Sequence, residues 1–258
     1  PAASVCPVCG SKTLKYSGYG TQRAESEIKA LFPELRIIRM DADTVGGKNS
    51  RDSILSAFAN HEYDVLLGTQ MITKGLDFPD VTLVGVLAAD SLLYSSDFRA
   101  YEKTFSLLTQ VVGRAGRAEK QGRAVIQTFS PTHLVLEHAI KQDYEGFFRE
   151  ETALRKLLVY PPFCDICQCV FTADTLSRAF EAAAEFIRRV ENALTREEYA
   201  KLPITVMVGG RDRVRILIKC RDDKTTRRLL RDVYLSVLRD AGMRDVSVGI
   251  DMSPSAIV

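Results

Sequence analysis

Residues 15–160 alternate between two kinds of hydrophobic pattern. In one kind, apolar side chains recur every three or four positions, which predicts amphipathic helices. In the other, short apolar runs are continuous, which is typical of parallel strands covered on both faces. The predicted helices are 21–35, 50–60 and 101–112, and the predicted strands are 36–41, 65–68, 82–88 and 124–128. Because helices separate the strands, we expect one α/β lobe with a parallel sheet and crossover helices.

Beyond residue 160 the order of elements changes. A helix predicted at 144–158 ends at Tyr160-Pro161-Pro162, which cannot continue it. Strands follow at 165–173, 204–208, 214–220 and 246–250, with helices at 175–194 and 225–241. The first of these two helices is expected to bury Leu176, Phe180, Ile187, Val190 and Leu194. The order β-α-β-β-α-β is that of the split, ferredoxin-like unit, so the predicted domains are 1–14, an α/β lobe at 15–160 and a small α+β domain at 161–258.

Composition places the chain among ordinary globular proteins. Of its 258 residues, 46% are hydrophobic and 26% are charged, which excludes disordered, collagen-like and disulfide-rich classes. The longest apolar stretch, residues 81–89, is too short to cross a bilayer. Because the first residue is Pro1 rather than Met, we expect a piece of a longer protein. The net charge is only +2, so binding of nucleic acid would depend on local basic patches.

The strongest chemical signal is Gln110-Val111-Val112-Gly113-Arg114-Ala115-Gly116-Arg117, at the end of a predicted helix. Two arginines, each following a glycine, can present guanidinium forks where the backbone leaves room for a partner. Phosphoryl transfer uses such forks, because charge develops on the γ-phosphate oxygens. On these residues alone, a helix end followed by a solvated basic turn is an equally good interpretation.

A second polar segment, Gly68-Thr69-Gln70-Met71-Ile72-Thr73-Lys74-Gly75-Leu76-Asp77-Phe78-Pro79-Asp80, follows one predicted buried strand and precedes another. Polar residues at the carboxyl ends of parallel strands are where α/β sheets bind ligands. Together the two segments resemble motifs V and VI of superfamily 2 helicases, and Gly18-Tyr19-Gly20-Thr21 resembles their motif IV region. Together with Ala89-Asp90 and Asp97-Phe98-Arg99, these motifs make the sequence of residues 5–163 similar to the PriA (primosomal protein N′) family of replication-restart DNA helicases.

The resemblance implies a RecA-like second helicase lobe within an ATP-dependent 3′→5′ DNA helicase that acts at stalled forks in the bacterial cytoplasm, associated with the nucleoid. It implies that Gln110, Arg114 and Arg117 face the γ-phosphate, with Arg117 as the arginine finger, and that Gly75 and Asp77 lie at the nucleotide. The DNA strand would be contacted by Gly20, Thr21, Thr69, Gln70 and Lys74, the first two through backbone N–H groups. The implied partners are single-stranded and forked DNA, single-stranded DNA-binding protein, and primosome or helicase-loading proteins.

The chain departs from a complete helicase because it lacks the first lobe with its phosphate loop and Asp-Glu-x-His type metal-binding box, and the DNA-binding domains that precede that lobe in the family. It contains no Gly-x-x-x-x-Gly-Lys-[Ser/Thr] phosphate loop, so ATP with Mg²⁺ would be held mainly by a first lobe that is not part of this sequence. We therefore expect these 258 residues to be inactive as an ATPase on their own. The alternatives are the lobe of another superfamily 2 DNA or RNA translocase, and a non-catalytic adaptor that uses the lobe for docking. The presence of both arginines weighs against the adaptor.

Cysteines and basic residues give two further predictions. Cys6-Pro7-Val8-Cys9-Gly10 is half of a zinc site, and the resemblance implies Zn²⁺ with the remaining ligands upstream of this chain. In contrast, Cys164, Cys167 and Cys169 are predicted to be core thiols and not zinc ligands, because Cys164 and Cys167 are three apart on a strand, point to opposite faces and cannot easily share a metal.

Residues 211–231 hold nine basic and three acidic residues. Arg213, Arg215 and Lys219 share one face of a predicted strand. They are candidates for contact with the DNA backbone. A solvated face is the equally weighted alternative, because no aromatic residues for base stacking are interleaved with them.

Overall fold

The computed structural model describes residues 20–41, 48–69, 72, 78–114, 122–210 and 212–254. They belong to two compact units. The first unit comprises Pro1–Ser91 and Thr104–Gln142, and the second comprises Leu92–Lys103 and Asp143–Val258. No helix in these described ranges is both long enough and apolar enough to span a membrane.

The first half of the chain is mixed α/β, as predicted. Its elements are α1 (Thr21–Leu31), β1 (Ile37–Met40), α2 (Lys48–Ala59), β2 (Val65–Gly68), β3 (Leu83–Val86), α3 (Asp90–Leu93), α4 (Ala100–Arg114), β4 (Arg123–Ile126) and α5 (Leu134–Lys141). Among the described residues, β1 pairs with β2 and β3 pairs with β4, and both pairs are parallel. Helix α4 contributes residues to both units.

Three details differ from the sequence prediction. Leu83 and Val125 are 62% and 53% exposed on the same face of the β3–β4 pair, so coverage on both faces is wrong for β3. The apolar period of the predicted helix 21–35 (Ala24, Ile28, Leu31 and Leu35) places Leu31 on its buried side, but Leu31 is 73% exposed, at the residue where α1 ends. For helix α5 the sequence indicates only a helix start near His133 and no end; in the structure His133 caps the helix by accepting a hydrogen bond at Nδ1 from the Val135 N–H, 3.2 Å away.

The second half begins with α6 (Tyr144–Leu158), which ends where predicted. It continues through β5 (Asp165–Thr172), α7 (Leu176–Asn192), α8 (Arg196–Ala200), β6 (Ile204–Val208), β7 (Arg213–Cys220), α9 (Lys224–Leu238), a 3₁₀ turn (Ala241–Met243) and β8 (Ser247–Met252). The four strands form an antiparallel sheet in the order β6-β7-β5-β8. The first strand of this half, β5, therefore lies inside the sheet, and β8 pairs with it as the edge strand.

The core of this half lies between one face of the sheet and the two long helices. Alternate residues of β5 and β7 supply the sheet side, among them Cys167, Phe171 and Ile216. Helix α7 buries Ala179, Ala182, Ala183, Phe186 and Val190. The predicted stripe of α7 is therefore wrong at Phe180, which is 38% exposed. Three of these five buried side chains are small alanines, which let the helix backbone approach the sheet closely.

Candidate functional site

Helix α4 presents the predicted catalytic segment at its carboxyl end. One side of the helix is buried through Thr104, Phe105, Leu108 and Val111, whereas Gln110 is exposed. The helix runs without interruption through Gly113 to Arg114. The side chain of Arg114 and all of Arg117 lie outside the described residues. As the sequence predicts, the arginine segment begins at the end of a helix, and one side of this helix is buried.

The predicted DNA-contacting residues of the first unit come together at one edge. Gly20 is the residue that precedes α1, and the next residue, Thr21, donates its hydroxyl to Oδ2 of Asp41 at 2.5 Å. Asp41 directly follows β1, whose last residue, Met40, pairs with Gly68 at the end of β2. Thr69 comes next. Because the strands are parallel, both carboxyl ends lie at this edge, and the hydrogen bond from Thr21 to Asp41 places the start of α1 beside them.

Gly68 is required by the close approach of the two strands. A Cβ at this position would lie 2.3 Å from the backbone oxygen of Met40, a distance that no side chain tolerates without a shift of the backbone. The close approach of β1 and β2 therefore requires a glycine directly before Thr69, the first described residue of the polar segment after β2. The remaining predicted residues of that segment, Gln70, Lys74, Gly75 and Asp77, lie outside the described residues.

The basic residues of β7 are not equivalent in their contacts. The predicted alternation is confirmed, with Val214, Ile216 and Ile218 in the core and the basic residues on the other face. Lys219 donates from Nζ to the backbone oxygen of Leu158 at 2.6 Å and lies 3.8 Å from the centre of the Tyr160 ring. By contrast, the guanidinium groups of Arg213 and Arg215 have no hydrogen-bond or ion-pair partner in the part of the chain that the structure describes.

Two further arginines of this basic segment, Arg227 and Arg231, lie on a different surface. Helix α9 packs its apolar side, including Leu230 and Val233, against the core face of the sheet. Two of its arginines are exposed and paired: Arg227 with Asp222, and Arg231 with Asp232 at 2.9 Å. The basic segment of the sequence is therefore divided between the two sides of the second half.

Three of the four cysteines of the second half are core residues, and the core prediction is wrong for Cys164. Cys167 and Cys169 are fully buried, as predicted, and Cys220 is buried beside them. Burial raises the pKa of Cys220 to about 12, so its thiol is neutral at pH 7. Cys164 is partly exposed and donates from Sγ to the backbone oxygen of Val159. Within the described ranges no cluster of His, Cys, Asp and Glu could hold a metal ion, and Cys6 and Cys9 lie outside those ranges.

Comparisons with known proteins agree with this arrangement. Residues 9–119 match the model of the helicase conserved C-terminal domain, which is a RecA-like lobe. Among curated relatives, the replication restart protein PriA of Bacillus subtilis is 40% identical over 98% of this chain and 32% of its own length. PriA of Chlamydia muridarum is 37% identical over 96% of the chain and 33% of its own, and PriA of Synechocystis is 48% identical over 62% and 19%.

A solved dimeric ferredoxin-like protein from an uncultured marine organism is 10% identical, covering 37% of this chain and 89% of its own. Its TM-score of 0.23 is too low to support a fold assignment. The curated relatives are far more similar, and the chain spans about a third or less of their length. Over nearly its whole length, the chain is therefore similar to the PriA family of replication restart proteins.

Proposed function

We propose that the chain is the C-terminal part of an ATP-dependent 3′→5′ DNA helicase that acts in replication restart and primosome assembly at stalled forks. The observation that carries this proposal is the arginine segment. Helix α4 ends with Gly113 and Arg114, three residues before Arg117, and all three lie in the region that matches the helicase C-terminal domain. Full-length relatives over this region are named replication restart proteins, which supports the same role.

Gln110, Arg114 and Arg117 would stabilise the γ-phosphate as charge develops on its oxygens, because guanidinium forks match phosphate geometry. Gly75 and Asp77 would contact the nucleotide, whose phosphates and Mg²⁺ would be held mainly by a first lobe. Single-stranded DNA would lie along the edge formed by Gly20, Thr21 and Thr69, and continue past Gln70 and Lys74. Backbone N–H groups at the start of α1 suit contact with DNA phosphates.

The finer parts of the proposal concern the remaining regions. A RecA-like lobe would span 15–160 and a ferredoxin-like domain 161–258, which the strand order β6-β7-β5-β8 supports. Cys6 and Cys9 would bind Zn²⁺ with ligands from upstream sequence. Forked DNA, single-stranded DNA-binding protein and primosome proteins would be the partners, in the bacterial cytoplasm at the nucleoid.

The full-length protein tests the proposal directly. We expect it to hydrolyse ATP only slowly without DNA, to be stimulated by single-stranded DNA, and to unwind a forked duplex by moving 3′→5′. Strand displacement from substrates with a 3′ or a 5′ single-stranded arm measures the polarity. Displacement that requires the 5′ arm, or binding of forks without any DNA-stimulated hydrolysis, would contradict the proposed activity.

A second expectation concerns Arg213 and Arg215. Replacing both with alanine in the full-length protein should weaken binding of single-stranded DNA and lower the slope of log K against log salt by about 1.4, roughly 0.7 per lost phosphate contact. Arg227→Ala with Arg231→Ala removes the same charge from residues that are already paired, and should leave the slope nearly unchanged. Adding Lys219→Ala to the first pair measures the third predicted contact. If the two double variants have equal slopes, Arg213 and Arg215 do not contact DNA phosphates, and their face of β7 is simply solvated.

A further inference from the structure

The beginning of α4 is held by a group of side chains that we call the Arg155 network. Arg155 donates from Nη2 to Oε2 of Glu102 at 2.8 Å and from Nε to Oε1 of Glu151 at 2.7 Å. Its guanidinium carbon lies 5.4 Å from the centre of the Phe98 ring. Phe98 in turn stacks on Tyr160, with ring centres 5.5 Å apart and planes inclined by 8°. One arginine of α6 therefore contacts both the residues before α4 and its first turn.

A second anchor lies directly beside the first. Asp97 is buried and accepts hydrogen bonds from the Arg99 N–H at 3.0 Å and from Nζ of Lys103 at 2.5 Å. Burial works against its charge, but the hydrogen bonds from Lys103 and Arg99 outweigh burial and hold the pKa of Asp97 below its usual range. Arg99 also donates to the backbone oxygen of Pro254. Residues 97–103 are thus fixed at several points along their length.

The central ion pair is of the kind that fixes geometry. The side chains of Arg155 and Glu151 are only 14% and 9% exposed. The second carboxylate oxygen of Glu151 is buried without a hydrogen-bond partner in the described part of the chain. Arg155 is therefore the cation that pairs with this carboxylate. A desolvated pair adds little net stability compared with an apolar pair, but it strongly disfavours other arrangements of its members.

Helix α4 carries this constraint to its other end. The helix is unbroken from Ala100 to Arg114, and Gln110 lies two turns beyond Glu102, about 12 Å along the axis at 1.5 Å per residue. A rotation or tilt of the first turn therefore moves Gln110 and Arg114. Groups that act on a transferring phosphoryl group are sensitive to such movement, because misplacement by about 1 Å can cost roughly 10²-fold in rate.

We propose that Phe98, Glu102 and Arg155 are positioning residues, which set the orientation of α4 and through it the placement of Gln110 and Arg114 at the nucleotide. This inference rests on the proposed function. None of the three residues needs to touch ATP or DNA. Their loss should therefore lower the rate of the DNA-stimulated chemical step without lowering affinity for either ligand.

The test uses Glu102→Gln, Arg155→Met and the double variant in the full-length protein. For Arg155→Met we expect kcat of DNA-stimulated ATP hydrolysis to fall by roughly 10- to 100-fold, with the KM for ATP and the Kd for single-stranded DNA unchanged. Glu102→Gln should lower kcat less. The double variant should be no slower than Arg155→Met, because the effect of Glu102 passes through Arg155. Arg155→Lys should restore little, since an ammonium group cannot replace the fork between two carboxylates.

Arg178→Met is the matched control. Arg178 likewise bridges two carboxylates, Asp245 at 2.7 Å and Glu181 at 3.2 Å, but on α7. It should keep wild-type kcat. If Arg155→Met and Arg178→Met have the same kcat, or if the loss appears in KM or DNA affinity, the inference is overturned.

Arg155→Met leaves Glu151 buried without a partner and can fail to fold. Glu102→Gln keeps the Arg155–Glu151 pair, and Arg155→Met with Glu151→Leu removes both charges together, so these two variants carry the test in that event. Unchanged kcat in both would overturn the inference alone. A wild-type protein without DNA-stimulated hydrolysis would overturn the proposed function, and the inference with it.

Discussion

Arg117→Ala in the full-length protein is expected to lower kcat for DNA-stimulated ATP hydrolysis on the order of 10³-fold, the lower end of the range for arginine fingers. The reason is that a finger acts as charge develops on the transferring phosphoryl group, so its contribution appears in the transition state and not in the bound substrate. Affinity for ATP should therefore change little. DNA binding should survive, since other residues would hold the strand. Steady-state ATPase kinetics, together with DNA titrations, measure the three quantities.

Two variants show whether the loss belongs to this guanidinium. Arg117→Lys should restore little, because a point charge cannot reproduce the bidentate fork. Arg123→Ala removes an exposed arginine of β4 in the same unit and should leave kcat unchanged. If Arg117→Ala hydrolyses ATP at nearly the wild-type rate and loses DNA affinity instead, then the finger is Arg114 or the assignment of the segment is wrong.

The sequence predicted the elements of the second half well, because their periodicities are strong. All six predicted elements beyond residue 160 are present, and the strand alternation at β7 is correct residue by residue. Proline at Pro161 and Pro162 marked the end of α6 correctly. Short elements were harder: α5 and α8 have eight and five residues, too few for a periodic stripe to stand out.

The candidate sites were predictable to a different degree. Gly20, Thr21 and Thr69 could be proposed because motifs mark them, and in the structure they lie at one edge. Arg155 was missed. Glu151 and Arg155 are four residues apart on a helix, which in a sequence looks like an ordinary exposed ion pair. Only the fold shows that the pair is buried and that its third partner, Glu102, lies 53 residues earlier.

The core of the second half offers the largest expected effect on stability. Phe186 is fully buried on α7, with its ring 5.6 Å from that of Phe171 on β5 in an edge-to-face contact. Phe186→Ala should lower the free energy of unfolding by about 3–5 kcal/mol, because the lost transfer energy is joined by the cost of a cavity that neighbouring strands cannot close. Urea dependence of hydrogen exchange at the amides of β5 measures this locally, without assuming that both units unfold together.

Phe180 provides the control, because the hydrophobic period of the sequence and the structure disagree about it. The sequence stripe places Phe180 in the core, whereas the structure leaves it 38% exposed and puts Ala179 and Ala183 against the sheet. Phe180→Ala should therefore cost less than about 1 kcal/mol, as is usual for substitutions away from a packed core. A loss for Phe180→Ala as large as that for Phe186→Ala would mean that α7 is rotated about its axis, with the predicted stripe facing the sheet.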